Sequence, residues 1–244
     1  MRYAVLGDIH SNLAALEAVL EEVDRVGVDA LIQVGDVVGY GASPSEVIQT
    51  LRDRDALVVK GNHDAACVGE LDARLFNPDA RAGVKFTVGA LSKKELRWLA
   101  DLPLTADTED CSVSHGTLHR PERFDYVQCT ADADPSLDMM DRPVCFVGHT
   151  HVPVTIMRLH DAPHRTSYTI ERAVDLAEAS VAMVNVGSVG QPRDEDSRAA
   201  WVLYDAKEAS IDMQRVEYDI EREADRIIRA GLPKMLADRL FLGF

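Results

Sequence analysis

Five times along this chain a short apolar run stops at a polar cluster. Tyr3-Ala-Val-Leu6 leads to Asp8-x-His10, Leu31-Ile-Gln-Val34 to Gly35-Asp36, and Leu57-Val-Val-Lys60 to Gly61-Asn62-His63-Asp64. Cys111-Ser-Val-Ser114 leads to His115-Gly116, and Val144-Cys-Phe-Val147 to Gly148-His149-Thr-His151. Apolar runs of this length bounded by turn residues read as buried strands. Carboxylate, amide and imidazole donors scattered over more than half the chain make one site only if the fold brings strand ends together. This series therefore favours a sheet-based enzyme with its chemistry at the strand edge.

Residues 1–65 alternate strand and helix, which predicts a βαβ beginning and a parallel sheet. The first helix runs from Leu13 to Gly27, capped by Ser11 or Asn12. Ser43-Pro44-Ser-Glu46 and Ser92-Lys-Lys-Glu95 have capping-box spacing, and the first starts a helix from Pro44 to about Arg52. From Cys111 onward strands dominate, including one at 167–170, and helices at 219–230 and 233–242 close the chain. Segments 66–91 and 117–142 read as loops or small helices overhanging the site. With 244 residues, 46% hydrophobic, there is enough chain for one large core. The expected organisation is a single domain over 1–244, with 219–244 as a helical extension.

A net charge of −15 argues against a general attraction to nucleic acid or anionic lipid. It does not exclude a small phosphorylated substrate, because two dications outweigh the charges of Asp8 and Asp36 locally. Cys67, Cys111, Cys129 and Cys145 show no C-x-x-C spacing, and Cys111 and Cys145 read as core residues. No apolar stretch has the length of a membrane span and no secretion signal precedes the first strand, so a soluble, cytoplasmic protein is expected. The late helices suggest a homodimer.

Each motif has a bland reading beside the chemical one. Asp8 and His10 project to one side of an extended segment, though such a pair is commonly a helix entry. Gly35-Asp36 is an ordinary turn dipeptide, but a neighbouring parallel strand would put Asp36 on the same edge as Asp8, where its two oxygens could bridge two ions. Asn62, His63 and Asp64 offer a neutral oxygen, an imidazole and an acid able to orient it; alternatively Asn62 caps a helix and His63 is a surface residue. His115, His149 and His151 taken singly would be structural. Together the residues supply two nearly complete nitrogen and oxygen shells, which without thiolates suit Mn, Fe, Zn, Co or Ni better than calcium. Asn12 and Arg193 are candidates for substrate contact, against readings as a helix cap and a solvated ion-pair residue. Tyr40, in Gly39-Tyr-Gly41, reads as a partly buried loop aromatic.

The whole series resembles the motifs of the calcineurin-like metallophosphoesterases over roughly residues 1–195. Asn185-Val-Gly-Ser188-Val-Gly-Gln-Pro-Arg193 is similar to the segment closing the core in their small bacterial and archaeal phosphodiesterase branch. The resemblance implies a four-layer α/β/β/α sandwich with two mixed sheets. It implies one ion on Asp8, His10, Asp36 and His151, and a second on Asp36, Asn62, His115 and His149, with Asp36 shared. Two divalent transition ions are thus the expected cofactors, manganese foremost. The implied reaction is phosphodiester hydrolysis by a metal-bridging hydroxide, with His63 acting on the departing oxygen and Asp64 holding its tautomer. Alternatives within the class are dinucleoside polyphosphate hydrolysis and phosphomonoester or phosphoprotein hydrolysis. A catalytically silent scaffold is disfavoured by His63, and a nuclease by the charge balance.

Overall fold

The computed structural model describes residues 1–244. The chain runs β1 (Arg2–Leu6), α1 (Leu13–Val26), β2 (Ala30–Gln33), α2 (Pro44–Asp53), β3 (Leu57–Val58), α3 (Asn62–Cys67), α4 (Pro78–Ala90) and α5 (Lys93–Ala100). It continues through β4 (Thr105–Asp107), β5 (Cys111–Ser114), α6 (Thr130–Leu137), β6 (Val144–Val147), β7 (Val154–Leu159) and β8 (Ala162–Thr169). The last elements are β9 (Ala173–Asp175), β10 (Ala179–Asn185), β11 (Ala199–Asp205), β12 (Ser210–Val216), α7 (Ile220–Arg229) and α8 (Lys234–Asp238). Two six-stranded mixed sheets result, in the orders β3-β2-β1-β11-β12-β9 and β4-β5-β6-β10-β7-β8.

Alternation along the strands sets the layers, because successive side chains leave opposite faces of a sheet. On β1, Ala4 and Leu6 join the cluster holding Leu16, Val19, Ile48 and Leu51 of α1 and α2. Tyr3 and Val5 join the cluster with Val113, Phe146 and Val184 of the other sheet. On β6, Val144 and Phe146 face that inter-sheet core, while Cys145 and Val147 pack under Ala133 and Leu137 of α6. Helix, sheet, sheet and helix are therefore stacked as the four layers that the resemblance implies. α7 and α8 pack with Tyr40 and Ala80 in a cluster of their own.

Departures from the sequence reading are local. The Ser92–Glu95 capping box forms, but the Ser43 hydroxyl makes no capping bond, although Pro44 does open α2. Segment 66–91 contains α4, a helix of 13 residues whose start is fixed by Asn77 accepting from the Ala80 N–H at 2.9 Å. β8 begins at Ala162, five residues before the expected strand. Pro163 and the exposed His164 and Arg165 are tolerated because β8 pairs on one side only, with β7. The second closing helix is the short α8 followed by a 3₁₀ turn at Arg239–Phe241. No helix is long and apolar enough to cross a membrane.

Candidate metal centre

The parallel strands β1, β2 and β3 end on one edge, where the following loops carry Asp8, His10 and Asp36 and the start of α3 carries Asn62. The parallel strands β5 and β6 deliver His115, His149 and His151 from the second sheet. The loops are stitched together by backbone bonds: Asp8 N–H to Gly35 O at 3.1 Å, His10 N–H to Asp36 O at 3.0 Å and Gly190 N–H to Asp8 O at 3.0 Å. Two motif glycines exist to let carboxylates in. A Cβ on Gly61 would lie 2.1 Å from Asp36 Oδ1, and one on Gly148 2.3 Å from Asp8 Oδ2.

All seven expected ligands are buried and come together. Asp8, His10 and His151 offer ligand atoms within 4.8 Å of one another, as do Asp36, His115 and His149. Asp36 Oδ2 lies between the groups, 3.5 Å from His10 Nε2 and 3.4 Å from His115 Nε2. Asn62 Oδ1 is 3.0 Å from His115 Nε2, and so is His149 Nδ1.

Backbone carbonyls decide which nitrogens are free. A carbonyl oxygen only accepts, so the Nδ1 atoms of His10, His115 and His151 must donate to Val38 O (3.0 Å), Val34 O (3.0 Å) and Gln191 O (2.6 Å). Their Nε2 atoms then turn toward the cluster. Burial lowers the pKa of His10, His149 and His151, which keeps these rings neutral. The Nε2 atoms of His10 and His151 thus present lone pairs to each other at 3.2 Å, with Asp8 Oδ1 3.2 Å from His151 Nε2. Two acceptors beside a carboxylate do not satisfy one another; a cation does. The donor set fits divalent metal ions.

His115 behaves differently. Burial alone would lower its pKa, but the Asp36 carboxylate, helped by the Asp8 charge and the Val34 carbonyl, raises it to about 9. Burial likewise pushes the Asp36 carboxyl up, yet His115 and His63 hold it well below the usual carboxylate range. A proton on His115 Nε2 sits among Asp36 Oδ2, Asn62 Oδ1 and His149 Nδ1. An ion held by His115 would displace this proton below about pH 9, so its affinity should rise with pH up to that value. Calorimetric titration near pH 7.5 in buffers of different ionisation heats should report release of about one proton per ion at this group. No dependence on the buffer would refute this.

The expected helpers separate. His63 is buried with its Nδ1 unpartnered, its ring lying among those of Tyr40 (4.5 Å), His10 (4.8 Å) and Phe76 (4.9 Å). Burial lowers its pKa to about 4. Asp64 does not orient that ring, contrary to expectation. Its Oδ2 accepts from Gly61 N–H (2.9 Å) and Val37 N–H (3.3 Å), and its Oδ1 from Val38 N–H (3.1 Å), so it braces the loop carrying Asp36. Burial, followed by the Asp36 charge, raises the Asp64 pKa to about 7.

Asn12 is also corrected. Its Oδ1 caps α1 through Ala15 N–H at 3.0 Å, and its amide donates to Gly190 O (2.9 Å) and Tyr218 Oη (3.3 Å), leaving no N–H for a phosphate oxygen. Arg193 departs from its bland reading, because the neighbouring Asp194 and Asp196 pair with Arg215 and Arg198. Its own guanidinium bonds to neutral oxygens, Gln191 Oε1 at 3.1 Å and Tyr40 Oη at 3.5 Å, and its Nε is buried without a partner.

Five of the seven expected ligands, Asp8, His10, Asp36, His149 and His151, have φ between 49° and 70°, as does Ser11 at 56°. Each such left-handed residue costs about 1–2 kcal/mol. Ser11 bears this strain with a buried hydroxyl that has no partner. Ser11→Gly should therefore stabilise the protein by about 1 kcal/mol, after allowing for glycine's extra chain entropy. A melting temperature that falls in the variant would contradict the strain.

Two participants had no usable sequence signal. Gln191 enters through its carbonyl, a group every residue has. Tyr126 stacks on His149 with ring centroids 3.8 Å apart and planes 14° apart, and a lone tyrosine in an unpatterned segment does not announce such a contact.

Fold and cluster together define a metal-binding α/β/β/α phosphoesterase architecture. The chain belongs to the calcineurin-like phosphoesterase superfamily, whose domain model matches residues 1–209. Members of this superfamily use divalent metals, and the Asp and His clusters here can hold them. The chain is 34% identical to the uncharacterized protein MJ0912 of Methanocaldococcus jannaschii, over 98% of this chain and 97% of that one. It is 29% identical to phosphodiesterase YfcE of Escherichia coli over 65% of this chain and 73% of that one. The crystal structure of a metallophosphoesterase from Sphaerobacter thermophilus superposes with a TM-score of 0.86 at 36% identity, covering 100% of this chain and 99% of that chain.

Proposed function

We propose that this chain is a cytoplasmic phosphodiesterase holding two divalent ions, manganese foremost. One ion is assigned to Asp8, His10, Asp36 and His151, the other to Asp36, Asn62, His115 and His149. The carrying observation is the position of Asp36 Oδ2, 3.5 and 3.4 Å from the inward nitrogens of the two histidine groups. Ions so held supply Lewis acidity that makes water nucleophilic near neutral pH and offsets charge on phosphoryl oxygens.

The chain's own residues orient the ester. Arg193, with no carboxylate among its bonding partners, binds a non-bridging phosphoryl oxygen. His63, neutral at pH 7 because of its burial, offers an N–H hydrogen bond to the departing oxygen. A small diester is favoured by the net charge of −15, which repels long polyanions, and by the name of the related YfcE as a phosphodiesterase.

Chelated protein reloaded with Mn²⁺ should bind about two ions and hydrolyse bis(p-nitrophenyl) phosphate, and EDTA should abolish turnover. Inertness with both ions bound, or turnover of monoesters alone, would overturn the proposal.

A further inference from the structure

A cleft of about 840 Å³ opens beside the ligand loops. Thr150, between His149 and His151, lines it, as does Arg193, its one charged residue. Tyr126 forms one wall. One face of its ring covers His149, yet the residue is 48% exposed, so the opposite face is turned to the cleft. Tyr168 and Ile170 also line the cleft and are 67% and 78% exposed, which is unusual for large apolar side chains on so acidic a surface. Gln128 and Thr130 add an amide and a hydroxyl to the lining.

Two tyrosine rings over an aliphatic lining of Val127, Val152, Pro153, Val154, Ile156 and Ile170, with neutral hydrogen-bonding groups and a single cation toward the metal-ligand cluster, match one kind of phosphate ester. Its organic group is flat and heteroaromatic, and its edge carries polar atoms. A sugar or glycerol ester would leave the aromatic walls in water. An alkyl ester would use the aliphatic lining but neither the ring faces of the tyrosines nor the amide and hydroxyl beside them. The volume is in the range of small-molecule sites and accommodates a nucleoside.

We propose that this cleft receives the nucleoside group of a nucleotide ester, with the phosphate directed toward Arg193 and the ligand cluster. The proposal rests on the phosphodiesterase reading and adds the substrate class to it. Tyr168 and Tyr126 are its specificity-determining residues, contributing ring faces that a base can stack on.

Cys129 lines the cleft and is the exposed thiol among four free cysteines, so its alkylation by iodoacetamide reports occupancy without turnover. With Mn²⁺-loaded protein, adenosine 5′-monophosphate should slow alkylation of Cys129 severalfold, while methyl phosphate and octyl phosphate should not. In turnover, thymidine 5′-(p-nitrophenyl) phosphate and methyl p-nitrophenyl phosphate share a leaving group and differ in the retained ester. The thymidine ester should have kcat/KM at least about tenfold higher, and Tyr168→Ala should bring the ratio toward one. Equal protection by octyl phosphate, or equal turnover of the two esters, would overturn the nucleoside assignment while leaving the phosphodiesterase reading intact. Hydrolysis of neither ester would sink that reading, and Cys129 protection would then judge the cleft alone.

Discussion

Asp36→Asn should lower metal-dependent kcat/KM by roughly a thousandfold, the upper end of the cost of removing one preorganised charge-stabilising group. The variant is nearly isosteric. Its Oδ1 still accepts the His63 N–H, which lies 2.8 Å from Asp36 Oδ1 in the wild type. The lost element is the anionic Oδ2 shared between His10 and His115. An amide nitrogen there would donate toward those lone pairs instead of joining them on an ion. Without Asp36, His115 loses the strongest of the influences that hold its proton, while Asp8 and the Val34 carbonyl remain, so the two charges leave largely together. The metal-free variant should therefore melt within a few degrees of wild type, yet metal content should fall and the metal-induced rise in melting temperature should shrink. Full metal content with full activity would remove Asp36 from the centre. A collapse of the metal-free fold would show that its role is structural.

Asp64→Ala should be costly in the opposite sense, through stability. Three buried backbone N–H groups, of Val37, Val38 and Gly61, lose their acceptor at once. At about 1–3 kcal/mol for each unsatisfied donor, with partial relaxation, a loss near 4 kcal/mol is expected. For a chain of this size that is a drop of about 10 °C in melting temperature, measurable by calorimetry. His63→Ala should lower turnover and also cost about 2–4 kcal/mol for the cavity left among Tyr40, His10 and Phe76, although no hydrogen bond at Nδ1 is lost with it. If Asp64→Ala instead reproduced the His63→Ala kinetics at unchanged stability, the two side chains would be acting as a pair after all.

The contrast between these residues shows what is legible in such a chain. Asp8, His10, Asp36, Asn62, His115, His149 and His151 could be collected because each follows an apolar strand, and the period of a strand is easy to see. Asp64 reads as the partner of His63 because it is next in the sequence. Both residues lie in α3, where adjacent side chains diverge around the helix and do not face each other. Asn12 carried two readings, and the geometry of the α1 start selects the cap. Segment 66–91 reads only as loops or small helices because the buried positions of α4 are Ala80, Gly83, Val84 and Thr87, too weak a stripe to mark a 13-residue helix. That Tyr126 and Tyr168 line one cleft depends on two segments distant in the chain, which neither segment's pattern encodes.

The left-handed turns of the ligand loops carry a wider implication. Strain of that kind at Asp8, His10, Asp36, His149 and His151 sums to several kcal/mol, a substantial part of the margin by which a typical domain stays folded. The two sheets below must supply the surplus, and the rim is where the chain gains most by letting go. Heat should therefore silence this protein before it melts it, with the catalytic edge slackening while the sandwich beneath remains whole.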